Sequence, residues 1–168
     1  RVLCFDLATG KQSWEAETRY PVFSSPAVSG GKVFVGEGFH QDSDCSLYAF
    51  AAASGKKLWS FKTGSHLESS PHIADGRVFF GAGDDGVYCL DSADGRKLWH
   101  QGGLHVDISP LLSGGLVYAG SGYGKLEAFA LDGRSGAFAW RTPVKLPAWG
   151  APVRLGNRII YGLGNGNF

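Results

Sequence analysis

The chain has 168 residues, enough for one domain with a substantial core, and 43% of them are apolar, which excludes a disordered polypeptide. A net charge of +1 gives no general attraction for nucleic acid or anionic lipid, and no apolar run approaches the roughly 20 residues that span a bilayer. Glycine, at 26 residues, is about twice its ordinary share and predicts many tight turns. The chain starts at Arg1 and contains no Met, so the natural N-terminus is expected upstream and the lack of a visible signal peptide carries no weight. Three cysteines, Cys4, Cys45 and Cys89, cannot form a disulfide framework.

A repeat organises the whole sequence. Trp14, Trp59, Trp99 and Trp140 are spaced by 45, 40 and 41 residues, and Gly10, Gly55, Gly95 and Gly136 precede them at the same intervals. Pro26, Pro71, Pro110 and Pro152 follow at 45, 39 and 42, as do Gly36, Gly81, Gly120 and Gly162. The units run over 1–25, 26–70, 71–109, 110–151 and 152–168. The clearest one places strand A at Pro71–Ala74, strand B at Val78–Gly81, strand C at Val87–Asp91 and strand D up to Trp99, with Asp-Gly and Gly turns supplying positive φ.

Along the chain, the first segment enters in strand C with "CFDLATGKQSW". Strand B is apolar at consecutive columns in every copy: Val33–Val35, Val78–Phe80, Val117–Ala119 and Ile159–Tyr161. Such runs predict burial on both faces. Strand C carries a small residue, Cys4, Ala49, Cys89 or Ala130, which leaves room for the repeated Trp. Four antiparallel strands per unit, a period of about 40 residues and doubly buried sheets predict an all-β propeller. The chain begins in strand C and ends after strand B, which is four blades' worth of strands. It is therefore read as a segment of a larger ring of seven or eight blades; alternatively, two such halves pair to complete one.

The blocks "CFDLATGKQSW", "AFAAASGKKLW", "CLDSADGRKLW" and "ALDGRSGAFAW" resemble the A-x-D-x-x-T-G-K-x-x-W repeat of the quinoprotein-like (PQQ-like) β-propellers, over essentially the whole chain. The resemblance implies that Trp14, Trp59, Trp99 and Trp140 dock each blade on the Gly region of the next. Trp14 stands at the start of the chain and is expected to contribute less than Trp59 or Trp99. It makes Cys4 and Cys89 core residues rather than reactive thiols. Ala51 departs from the usual Asp.

Two function classes follow from the same resemblance. In the quinoprotein dehydrogenases, PQQ and calcium lie in the central channel with an adjacent Cys-Cys disulfide, a stacking Trp and a catalytic Asp. This chain has no adjacent cysteines, and Trp149 is its only non-repeat Trp. The non-catalytic branch, which includes the outer-membrane assembly lipoprotein and envelope sensor domains, matches better. The expectation is therefore a binding or interaction scaffold of the periplasm, cell envelope or extracellular space, with no catalytic residue and no cofactor. PQQ with calcium, oxidising alcohols or sugars, is the alternative.

Three stretches carry chemistry-bearing residues. "GAGDDG", Gly81–Gly86, matches the dinucleotide fingerprint, but a strand follows instead of a helix, so it reads as a hairpin turn. The longest insertion, "GEGFHQDSDCS", holds His40, Asp42, Asp44 and Cys45 and reads as a hydrated B–C loop, with a metal or partner contact as the second reading. "HLESSP" and "HVDISP" put His66/Glu68 and His105/Asp107 on D–A connections at the channel mouth, where the equivalent columns hold Phe23 and Trp149. Asp84 and Asp85 open on the same end. The residues read either as loop decoration or as a site for a small polar ligand or protein partner; His66, Glu68, His105 and Asp107 could also hold a divalent metal.

Overall fold

The computed structural model describes residues 1–164, so 165–168 of the last repeat unit lie outside the described residues. There are sixteen strands and no helix among them. The first pair is β1 (Val2–Phe5) and β2 (Gln12–Ala16). Three complete blades follow. The first has β3 (Ala27–Ser29), β4 (Lys32–Gly36), β5 (Ser46–Ala51) and β6 (Lys57–Lys62). The second has β7 (His72–Ala74), β8 (Arg77–Gly81), β9 (Val87–Asp91) and β10 (Lys97–Gln101). The third has β11 (Leu111–Ser113), β12 (Leu116–Gly120), β13 (Glu127–Asp132) and β14 (Phe138–Pro143). A last pair, β15 (Val153–Leu155) and β16 (Arg158–Ile160), ends the series. Every pairing is antiparallel between consecutive strands, so each complete blade is a simple meander.

Local chemistry sets the meander. The A–B hairpins of the three complete blades turn through pairs of positive φ, as at Asp75 (51°) and Gly76 (71°), the conformation of a two-residue turn that matches strand twist. The B strands are buried across their centres, at Val33–Val35 and Val78–Phe80. Each blade is thus covered on both faces, and the apolar core is a set of layers between neighbouring blades. One layer joins Phe34, Leu47 and Ala49 to Val78, Phe80 and Leu90; the next joins Phe79, Cys89 and Trp99 to Val117, Phe129 and Leu131. Within the last pair Ile160 is exposed, because no further blade covers it.

The A strands lie side by side, β3 against β7 and β7 against β11, as inner strands of a radial arrangement do. Serines stitch them. Ser70 Oγ accepts the Ser25 N–H at 2.8 Å, and Ser109 Oγ accepts the Ser70 N–H at 2.8 Å. Ser24 and Ser69, both buried, each accept the N–H and donate to the carbonyl of the strand B glycine, Gly36 or Gly81, at 2.8–3.0 Å.

The repeated Trp stands opposite the small strand C residue in all four copies: Cys4 with Trp14, Ala49 with Trp59, Cys89 with Trp99, Ala130 with Trp140. A Cβ added to Gly55, Gly95 or Gly136 would come within 2.6–2.7 Å of the indole of Trp14, Trp59 or Trp99. Those three rings therefore lie flat on the next blade's glycine. Two Nε1 groups bond across the same interface, Trp14 to the Ala52 carbonyl (2.8 Å) and Trp99 to the Gly133 carbonyl (3.1 Å). Trp59 Nε1 is buried without a partner.

The two ends differ from the sequence reading. Trp140 has no following glycine and is 37% exposed, so it docks no blade within the described residues. Gly10, with φ 67°, has no ring above it. Trp14, expected to matter less than Trp59 or Trp99, is seated on Gly55, and the unseated ring among the described residues is Trp140. Cys4, in the first strand pair, is only partly buried, whereas Cys89 is fully buried and its thiol is pushed up to about 12 by burial.

Candidate functional site

The D–A and B–C connections emerge at the same end of the blades, and the backbone brings each D–A segment over the preceding B–C turn. Gly83 and Val106 exchange backbone hydrogen bonds at 3.2 and 2.9 Å, and Leu67 N–H donates to the Glu37 carbonyl at 3.0 Å. Leu67 and Val106 point into the core. In an extended segment their neighbours at ±1 then share the opposite side. This places His66 and Glu68 together, and His105 and Asp107 together.

Asp107 is the centre of the resulting cluster. Its Oδ1 lies 3.0 Å from His66 Nε2 and its Oδ2 lies 2.6 Å from His105 Nε2. His105 Nδ1 in turn meets Asp84 Oδ1 at 2.6 Å, and His66 Nδ1 meets Ser65 Oγ at 3.2 Å. Burial opposes the charge on His105, but its hydrogen bonds to Asp107 and Asp84 outweigh it and hold its pKa up at about 9. Burial likewise opposes the Asp107 carboxylate, and the bonds from His105 and His66 overcome it and hold the group well below the usual carboxylate range. The side chains of His66 and Asp107 are 2% and 8% exposed.

His40 completes the group, and the D–A columns alone did not identify it. Its Nδ1 and its backbone N–H both reach Glu68 Oε1 at 3.0 Å. Its ring centroid lies 5.1 Å from that of His66 and 5.9 Å from that of His105. His40 belongs to the insertion read as a hydrated loop. That reading is corrected at both ends of the insertion: Glu37 and Cys45 are fully buried. Glu37 accepts the Tyr20 N–H (2.8 Å) and the Tyr48 hydroxyl (3.0 Å). Asp42 caps the Phe39 N–H at 2.8 Å, and Asp44 lies 3.5 Å from Lys62 Nζ.

Asp85 is not part of the cluster. Its carboxylate accepts the Gly64 N–H (2.8 Å) and the Tyr88 hydroxyl (2.7 Å), so it ties the turn to β9 of its own blade and to the D–A connection of the preceding one. Asp84 is the member that joins.

Aromatic rings run outward from the imidazoles. Phe23 packs on Phe39 at 4.6 Å between centroids, Phe39 lies 6.0 Å from His40, and His40 lies 5.4 Å from Tyr123. Tyr123 lies 5.2 Å from Trp149. Phe23, Phe39, Tyr123 and Trp149 are 56%, 49%, 48% and 40% exposed. Phe39 and Tyr123 were missed by sequence reasoning. The available signal was that both sit in B–C connections, the same end as the D–A columns. Clefts of about 240 and 310 Å³ flank the cluster, the first beside His105, Tyr123 and Lys125, the second beside His40, Ser65 and Asp84.

Radial four-stranded blades, a Trp laid on a Gly at three junctions and side chains displayed from the connections at one end define a β-propeller module of the PQQ-like repeat class. A family model described as outer membrane protein assembly factor BamB matches residues 1–160, and the chain belongs to that family. BamB from Moraxella catarrhalis superposes with a TM-score of 0.77 at 20% identity, over 94% of this chain and 48% of that one. The computationally designed Ika4 protein gives 0.73 at 17% identity, over 95% and 96%. Quinohemoprotein alcohol dehydrogenase from Comamonas testosteroni gives 0.61 at 23%, over 77% and 22%. These likenesses establish the fold. The chain spans about half the length of the assembly factor it matches. Curated protein sequences give no match.

Proposed function

We propose that this chain is a non-catalytic docking module of the cell envelope, which binds a protein partner at the end carrying the D–A and B–C connections. The observation that carries the reading is the continuous strip of exposed rings, Phe23, Phe39, His40, Tyr123 and Trp149, contributed by the segment before β3 and by the connections of the first and third complete blades. Exposed aromatic side chains held rigidly beside polar groups are what protein interfaces use as anchors. The membership in an outer-membrane assembly family supports the envelope location and the scaffold role. Among the described residues no helix is long and apolar enough to cross a membrane. Trp140 and Gly10 present the two complementary halves of the junction seen three times within the chain, so pairing with a further propeller half belongs to the same reading.

The test is site-specific photocrosslinking in cells. A photoreactive residue at Tyr123 is expected to give a discrete protein adduct whose yield falls when Phe39 and Trp149 are replaced by Ala. The same probe at Lys56, exposed in a C–D turn at the opposite end, is expected to give none. Equal adducts at both positions would refute the docking face. Dye-linked alcohol or sugar oxidation that depends on added PQQ and calcium would instead make the module part of a dehydrogenase.

A further inference from the structure

The three imidazoles and Asp107 do more than line a docking face. We infer that His40, His66, His105 and Asp107 form a binding site for one divalent transition-metal ion of the zinc class.

The geometry carries the inference. Nitrogen or oxygen atoms of His40, His66 and Glu68 lie within 4.8 Å of one another, and so do those of His40, His105 and Asp107. His40 belongs to both sets, and His66 Nε2 lies 3.0 Å from Asp107, so the two sets adjoin. The ring centroids are 5.1 Å (His40 to His66), 5.8 Å (His66 to His105) and 5.9 Å (His40 to His105) apart. A ring bound to zinc has its centroid about 3.2 Å from the metal, and tetrahedral angles then separate ring centroids by about 5.2 Å. The imidazoles already approach that triangle. Ligand atoms on such an ion are about 3.3 Å apart, so the 3.0 and 2.6 Å contacts to Asp107 open by less than about 1 Å.

The outer partners fit as well. A metal-bound imidazole holds its other nitrogen on a carboxylate, hydroxyl or carbonyl group, which fixes the ring. With Nε2 of each ring on the ion, His40 Nδ1 is held by Glu68, His66 Nδ1 by Ser65 and His105 Nδ1 by Asp84. Three imidazoles with one carboxylate suit zinc, nickel, copper or iron; calcium and magnesium prefer all-oxygen sets. The ligands come from three different connections, so the ion would also link two D–A segments to the first blade's B–C loop.

This site shares the end of the molecule with the docking face but does not depend on it, and its test uses no partner. Calorimetric titration of Zn²⁺ into chelator-treated whole polypeptide is expected to show one equivalent bound. Co²⁺ in its place is expected to give the visible absorption of a four-coordinate nitrogen–oxygen site. His40→Ala and His105→Ala should each weaken binding by more than about tenfold. His40 lies on an exposed loop, so circular dichroism of His40→Ala should match the parent and separate lost ligation from lost fold. Absence of a saturable Zn²⁺ equivalent, or weakening below about tenfold in either variant, overturns the assignment.

Discussion

Trp99→Ala measures what one blade junction contributes. The ring is 7% exposed, lies on Gly136, stands 6.0 Å from the Phe79 ring and donates its Nε1–H to the Gly133 carbonyl. Burial of about 200 Å² of indole at about 25 cal/mol per Å² corresponds to about 5 kcal/mol. Ala recovers a little of that, while the cavity and the lost hydrogen bond add to the deficit, so a loss of about 3–5 kcal/mol is expected. Trp140→Ala removes the same side chain from a face where, among the described residues, the following unit supplies only β15 and β16 and no docking glycine, and about 1 kcal/mol or less is expected. Because each buried layer joins only neighbouring blades, the lesion at Trp99 should loosen β11–β16 from the preceding blades. The assay is urea denaturation followed by far-ultraviolet circular dichroism, with the midpoint and the number of transitions compared among parent, Trp99→Ala and Trp140→Ala. Equal losses at the two positions would refute the wedge argument, since only one of the two rings is seated between blades.

Two further outcomes follow from local geometry. Gly10→Ala and Gly95→Ala share a left-handed backbone, φ 67° and 77°, and each should lose about 1 kcal/mol to that conformation. Only at Gly95 would the new Cβ fall 2.7 Å from an indole, that of Trp59, so Gly95→Ala should be worse by a further 1–3 kcal/mol or so in the same denaturation assay. Glu127 supplies a pH dependence: hydrogen bonds from Arg141 and then Lys125 hold its carboxyl below the ordinary value. A depressed folded-state pKa stabilises the protein above the ordinary carboxylate range, and that contribution is lost as pH falls through the folded value. The melting temperature should therefore drop on acidification, and Glu127→Gln should be less stable at neutral pH with a shallower acid limb. An unchanged acid limb in that variant would show that the ion pair does not contribute.

The sequence by itself determined the blades. Strand order, the hairpin turns, the doubly buried B strands and the pairing of each Trp with a small strand C residue all depend on neighbours within one unit or on the repeat spacing, and both are written along the chain. The end on which His66, Glu68, His105, Asp107 and Asp84 emerge followed from the same topology. Tertiary structure decided which of them meet. Asp84 and Asp85 are adjacent in sequence, yet the turn sends one to His105 and the other back to Gly64 and Tyr88. His40 enters from an insertion that breaks the repeat, so no column comparison could align it with His66 or His105. Trp140 carries the same motif as Trp99 but meets no docking glycine among the described residues. Spacing along a chain encodes which residues share a strand face; distances between side chains on different blades depend on how rigid sheets stack, and that is settled only when the interblade layers close.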